Sequence, residues 1–246
     1  MVVMDYLVYF ILLALVAEIL GTVGGFGSSL FFIPIAGYFL DFHSVLGITA
    51  LFHVSSNLTK IFFFREGVDK KLLINIGIPA VIFVILGAYL SKFIGSTLLE
   101  FILSIFLILL SLFFLIFKNI SIQPTKSNSV TGGILSGLFA GLVGTGGAIR
   151  GLTLAAYGLS AEVFIATSAI IDLGIDASRS VVYFLNGYVH YHDLYLIPIL
   201  FIVSVVGTYL GKKILTKVND KQFKSLVLIL VLITGLATFI KMLNQI

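Results

Sequence analysis

Gly21-Thr22-Val23-Gly24-Gly25-Phe26-Gly27-Ser28-Ser29 interrupts an apolar run long enough to lie in a membrane. About 120 residues later the chain reads Gly141-Leu142-Val143-Gly144-Thr145-Gly146-Gly147-Ala148, again with apolar residues on both sides. In hydrocarbon a glycine-rich break leaves backbone N–H and C=O groups that lipid cannot satisfy. Such a break is therefore tolerated only where protein buries it or where it lines a cavity. Two breaks at matching places in two halves of a chain point to a binding site.

Composition sets the class. Apolar residues make up 59% of the 246 and charged residues 11%, against roughly half and a quarter in soluble domains. The expectation is an all-α polytopic membrane protein. No Lys or Arg precedes the first apolar run and no small-residue cleavage site follows it, so a removable signal peptide is not expected. The formal charge of +4 is accounted for by basic loops that orient the chain, and nucleic acid is not implied. Without cysteine there are no disulfides, thiolate metal sites or thiol nucleophiles.

Six segments have the length of spanning helices: Ser44 to Phe64, Leu72 to Leu90, Leu98 to Phe117, Val163 to Phe184, Leu194 to Leu210 and Phe223 to Ile240. Around the second break, Val130 to Leu142 and Ala148 to Leu159 are shorter, roughly 18–20 Å at 1.5 Å per residue. The spacing predicts half-helices meeting at a glycine turn, and the repeat predicts the same unit from Tyr6 to Leu20 and Ser28 to Leu40. Full crossing by the first of these stays open. Gly87-Ala88-Tyr89-Leu90-Ser91-Lys92 matches Gly207-Thr208-Tyr209-Leu210-Gly211-Lys212, which extends the repeat beyond the glycines. The expected organisation is a first repeat over residues 1–117, a polar cytoplasmic connector over 118–129 and a second repeat over 130–246.

Charge decides how the repeats are related. If each broken pair returns to its starting side, one face collects Arg65, Lys70, Lys71, Lys118, Lys126, Lys212, Lys213, Lys217, Lys221 and Lys224, leaving the other only Lys92 and Lys241. If each pair counts as a single crossing, the bias vanishes. Short cytoplasmic loops carry the excess of Lys and Arg. The chain therefore reads as two inverted repeats, each a glycine-broken (re-entrant or hairpin) pair plus three spanning helices, with both termini outside the cell membrane.

Inverted repeats would bring both turns to the midplane, where each following helix begins. A helix N-terminus offers free N–H donors and about half a positive charge. Gly24, Gly25, Gly27, Ser28 and Ser29 from one turn and Gly144, Thr145, Gly146 and Gly147 from the other, with Thr22, are thus candidates for holding an anion. The alternative is that these glycines only let helices pack closely. Arg150, one turn into the helix after the second break, is costly in hydrocarbon unless paired or solvated, and its planar fork suits a carboxylate, sulfonate or phosphate. The alternatives are an ion pair with Asp172 or Asp176, or snorkelling.

His53, Asn57 and Lys60 form one helix stripe, and Asp172, Asp176 and Arg179 form its counterpart 119 residues later. A two-fold axis is expected to pair His53 with Asp172, either of which could carry a coupling proton; the alternative is an internally neutralised Asp176–Arg179 pair beside a hydrogen-bonded histidine. Glu18, without a polar counterpart at Leu138, is either a proton site or a partner for a free N–H. His190, His192 and Asp193 read as a solvated turn rather than a metal site. No phosphate-binding lysine loop or nucleophile elbow is present, and no catalytic residue or cofactor is expected.

The doubled motifs GTVGGFGSSLFFIPI and GLVGTGGAIRGLTLAAYGL, with ATSAIIDLGIDASRSVVYFLNGY after the second, resemble the sulfite exporter TauE/SafE family of permeases over nearly the whole chain. The resemblance implies transport of a small sulfur oxyanion, sulfonate or organic acid. With no nucleotide-binding segment, the expected function is secondary transport by alternating access, proton-coupled or driven by substrate. The rival classes are an anion channel and a non-transporting membrane scaffold. Expected partners are the small anion and the bilayer; a homo-oligomer stays open.

Overall fold

In the computed structural model, residues 2–65, 67–117, 122–215, 217 and 220–244 are described; of the basic residues counted above, Lys118 and the side chains of Lys221 and Lys224 lie outside that set. Every regular element among the described residues is helical: α1 (Val2–Gly24), α2 (Ser29–Ala36), α3 (Phe42–Phe63), α4 (Lys70–Leu72), α5 (Ile78–Ser91), α6 (Ser96–Ile116), α7 (Lys126–Val143), α8 (Gly147–Ala155), α9 (Ala161–Leu185), α10 (Leu196–Leu215) and α11 (Asp220–Leu243), plus a 3₁₀ turn at Tyr191–Asp193. A π-helical stretch, Leu73–Gly77, joins α4 to α5. It ends just before Pro79, which has no N–H to donate to the carbonyl four residues back.

Six helices among the described residues are long and apolar enough to cross a membrane: Leu7–Gly24, Phe42–Phe63, Lys70–Ser91, Ser96–Ile116, Leu196–Leu215 and Leu226–Leu243. The set differs from the sequence expectation at two places. The first helix runs unbroken to Gly24, 23 residues in all, and is no half-helix ending at Leu20. Val163 to Phe184 lies within α9, whose 25 residues are long enough, but Asp172, Asp176 and Arg179 lower its hydropathy. The helix before the second break is also longer than expected. Thr125 accepts a hydrogen bond from the Asn128 N–H, and Lys126 to Ser129 form the first turn of α7.

The helix partners repeat between the halves. Helix α7 packs along α5 and α1 along α10, two pairs that exchange when one half of the sequence is laid on the other. The pairs α3 with α9 and α6 with α11 exchange into themselves. In the α7–α5 pair, Gly133, Gly137 and Gly141 lie against the backbone of Ile76, Ala80 and Val84, so closely that any Cβ would overlap the facing carbonyl. Along α1–α10, Gly207 meets the stem of Glu18 and Gly211 that of Thr22. Residue order rises together in both pairs, so they run parallel. Helices α3 and α9 are antiparallel: Gly47 touches Tyr188, Asn57 bonds Asp176, and Phe64 clusters with Ile165.

The ends of the molecule are tied by lysines. Lys212 donates to the Phe63 carbonyl at 2.6 Å and sits over the Phe64 ring, closing the end of α3. At the opposite end of α3, Lys241 bridges Glu100 and the Gly37 carbonyl, both at 2.7 Å, and so holds the end of α2 to α6 and α11.

Candidate functional site

Both glycine breaks are real turns. Gly25, Gly27 and Gly144 have φ of 69°, 85° and 81°, in the left-handed region that side-chain-bearing residues avoid. They are also close-packing points, since a Cβ on Gly146 would overlap the Ser136 carbonyl and one on Gly147 the Phe26 carbonyl. These glycines therefore both break the helices and let them pack closely. The turns meet in space: the Ser29 and Thr145 hydroxyls are 3.0 Å apart, across 116 residues of chain.

The helices that start at these turns, α2 and α8, begin at Ser28 and Gly146 without a side-chain cap. By contrast α3, α4, α7 and α9 are capped by Asp41, Asp69, Thr125 and Ser160. The Ser28 hydroxyl is diverted elsewhere, to Glu18. Between the two uncapped starts lies a cavity of about 20 Å³, lined by Gly27, Ser28, Ser29, Gly144, Gly146, Gly147, His53, Ser56, Asn57, Lys60, Arg150, Asp172, Asp176 and Arg179, with Phe26, Ala140 and Ile175. That is room for about one water. A second cavity of similar volume, lined by Gly21, Thr22, Gly25 and Phe164 among others, shares Gly27, Lys60 and Asp172 with the first.

Three acid–base pairs surround this space. On the first-half side Glu18, fully buried, accepts from Thr22, Ser28, Ser56 and Thr208 and pairs with Lys60 at 3.0 Å. Lys60 also donates to Ser56 at 2.7 Å. On the second-half side Arg179 donates from Nε to Asp176 at 2.7 Å, and its Nη1 reaches the Ala140 and Gly144 carbonyls at 3.1 and 2.6 Å. It thereby closes the exposed carbonyl end of α7 at the break. Arg150 pairs with Asp172 through Nη1 and donates from Nε to Ser168 at 3.1 Å.

His53 joins the two sides. Ser28 gives its one hydroxyl proton to Glu18 at 2.6 Å and therefore accepts from His53 Nε2 at 3.0 Å. That places the imidazole proton on Nε2 and leaves Nδ1 facing Asp176 at 3.9 Å.

Several expectations are corrected. His53 does not face Asp172; the equivalent residues that meet are Asn57 and Asp176, one turn along, at 2.7 Å. The antiparallel crossing of α3 and α9 decides which equivalent pair meets. Glu18 bonds hydroxyls and a lysine rather than a free N–H, the Gly207 and Thr208 surface of α10 bringing the fourth hydroxyl. Thr22, Gly24, Gly25 and Thr145 do not line the first cavity: Thr22 bonds Glu18, Gly24 closes α1, Gly25 faces the Phe164 ring and Thr145 is fully buried against Ser29. Near the chain's other histidines, His192 is exposed, Asp193 is buried, and no group of three metal-ligating side chains exists among the described residues.

Ser56, Ser168 and Thr208 are the polar contacts that sequence reading passed over. Ser56 lies three residues after His53 on its stripe and was legible there; Thr208 was not, because only packing of α10 on α1 brings it in.

These features define a polytopic helical membrane protein with a buried, charge-balanced polar centre between two broken helices. The family model for sulfite exporter TauE/SafE matches residues 10–238, and the chain belongs to that family of membrane transporters. Among curated proteins and among solved structures, no match to the chain was found.

Proposed function

We propose that this protein is a secondary transporter of a small anion, a sulfur oxyanion, sulfonate or small organic acid, bound between the two glycine turns. The observation that carries the reading is the pair of uncapped helix starts, α2 and α8, opening with Arg150 onto one buried cavity. Each start presents free N–H groups and the positive end of a helix dipole, which anions satisfy. Ser28, Ser29, Gly146 and Gly147 supply the donors, and Arg150 the point charge.

A cavity with room for about one water is too small for a multi-atom oxyanion. The structure is read as an occluded state, and substrate entry separates the two turns. Antiparallel contact of α3 with α9, whose equivalent residues Asn57 and Asp176 meet, supports inverted repeats related by an axis across the helices. Alternating access then amounts to rocking one half against the other about that contact. In this reading the end holding Lys212 is cytoplasmic and the end holding Lys241 is external. Labelling of Ser127→Cys and His192→Cys from opposite sides of intact cells is expected; labelling of both from one side would contradict the inverted arrangement.

Reconstituted protein should accumulate anion in liposomes, saturably and with an imposed pH gradient as a driving force. Flux that runs only down the anion's own gradient and does not saturate would favour a channel, and absence of flux a scaffold.

A further inference from the structure

We infer that Asp172 is an internal stand-in for the substrate: it occupies the Arg150 guanidinium in the empty protein, the incoming anion displaces it, and the displaced carboxylate takes up a proton. The inference rests on the proposed anion site and assigns its coupling. Charge is balanced around the cavity. Glu18, Asp172 and Asp176 carry one negative charge each and Lys60, Arg150 and Arg179 one positive charge each, with His53 taken as the neutral imidazole that donates from Nε2 to Ser28. An arriving anion would leave an unbalanced buried charge, which is costly unless a group there is neutralised.

Asp172 is the carboxylate placed to respond. Glu18 has four hydroxyls and Lys60, and Asp176 has Arg179 and Asn57, so both stay partnered when an anion enters. Among the described residues Asp172 pairs with Arg150 alone, the same group an anion needs. Its side chain is 18% exposed, against 4% for Asp176 and 0% for Glu18, so it is the least enclosed of the three carboxylates. It also lines both small cavities, so the opening that admits the anion frees space beside the carboxylate.

The charged and titratable groups around the cavity that Asp172 lines are Arg150 from α8, Lys60 and His53 from α3, Glu18 of α1 through Lys60, and Asp176 and Arg179 on its own helix. When the anion takes Arg150, Asp172 loses its nearest cation and keeps Asp176 as a neighbour, and both changes favour the neutral acid. The step balances as one ionic partner exchanged and one O–H bond formed. A monovalent anion and one proton enter together, and no other bond changes.

The test is calorimetric binding of methanesulfonate and of thiosulfate, both fully ionised near neutrality, to purified protein in two buffers that differ in ionisation enthalpy. Wild type should take up a proton as methanesulfonate binds. Asp172→Asn, freed of the internal competitor, should bind about 10- to 150-fold more tightly, the value of a charge-assisted hydrogen bond no longer contested, and should take up none. Binding without proton uptake in wild type, or unchanged affinity and retained uptake in Asp172→Asn, would overturn the inference and leave the anion site standing. If neither probe binds wild type, the anion site itself falls and the inference with it. Should Asp172→Asn not fold, the infrared difference spectrum of wild type decides: a new protonated-carboxyl band on methanesulfonate binding is expected, and its absence overturns the inference.

Discussion

The two glycine breaks share a backbone plan and differ in chemistry. Before the first break, Glu18 is locked by five donors drawn from α1, α2, α3 and α10. Position 138, its counterpart, is leucine, and the second half places its charges after the break instead, on α8 and α9. A carboxylate saturated by donors behaves as a fixed joint. One held by a single guanidinium, as Asp172 is, can be exchanged. In the proposed scheme the halves divide the work: the first makes a rigid wall and the second carries the movable charge.

The largest effect should come from breaking the fixed joint. Glu18→Ala strands Lys60 in a buried site and leaves four hydroxyls without their acceptor, at a cost of about 3–5 kcal/mol. Thermal unfolding in detergent should show severe loss, and Glu18→Leu combined with Lys60→Met should recover much of it. Unchanged unfolding of Glu18→Ala would show that the network is not a joint.

A second effect compares the helices before the two breaks. Gly137 in α7 faces the Ala80 carbonyl with no room for a Cβ, whereas its counterpart 120 residues earlier is already Ala17. Gly137→Ala should destabilise by about 1–3 kcal/mol through overpacking. Ala17→Gly should cost only about 0.5–1 kcal/mol, the entropic cost of glycine in a helix. Equal effects would mean that the α7–α5 contact is no tighter than α1–α10.

The smallest effect concerns equivalent caps. Asp41 starts α3 and Ser160, 119 residues on, starts α9. Partial burial pushes the Asp41 carboxyl up, but the Ser44 hydroxyl and the Ser44 and His43 N–H groups outweigh it and hold it below its usual value. Asp41→Ala should cost about 1 kcal/mol. A depressed folded-state pKa contributes stability above the unfolded value, so the difference from wild type should shrink as pH falls below about 4. Ser160, whose bond to the Val163 N–H is long at 3.5 Å, should cost less on removal and show no pH dependence.

Much of the fold was legible because hydropathy and glycine spacing report directly on membrane segments. The breaks, the repeat and the polar stripes at His53, Asn57, Lys60 and Asp172, Asp176, Arg179 all read from periodicity. Lengths near the breaks did not: α1 and α7 are extended by packing against α10 and α5, which single-chain patterns do not contain. The pairing of α3 with α9 was displaced by one helical turn for a similar reason. Spacing places Asn57 and Asp176 at equivalent positions, but only the crossing of α3 and α9 decides which equivalent pair touches. The partner of Arg150 was among the alternatives the sequence left open, since Asp172 and Asp176 lie on the same face of α9.

The central claim is that the cavity between the turns holds a small anion through Arg150. Removing Arg150 alone would strand Asp172, so the decisive variant is Arg150→Ala with Asp172→Asn, which keeps the site neutral. Calorimetry on folded protein should show methanesulfonate and thiosulfate binding at least about tenfold more weakly than to wild type. Affinity equal to wild type in that double variant would contradict the account.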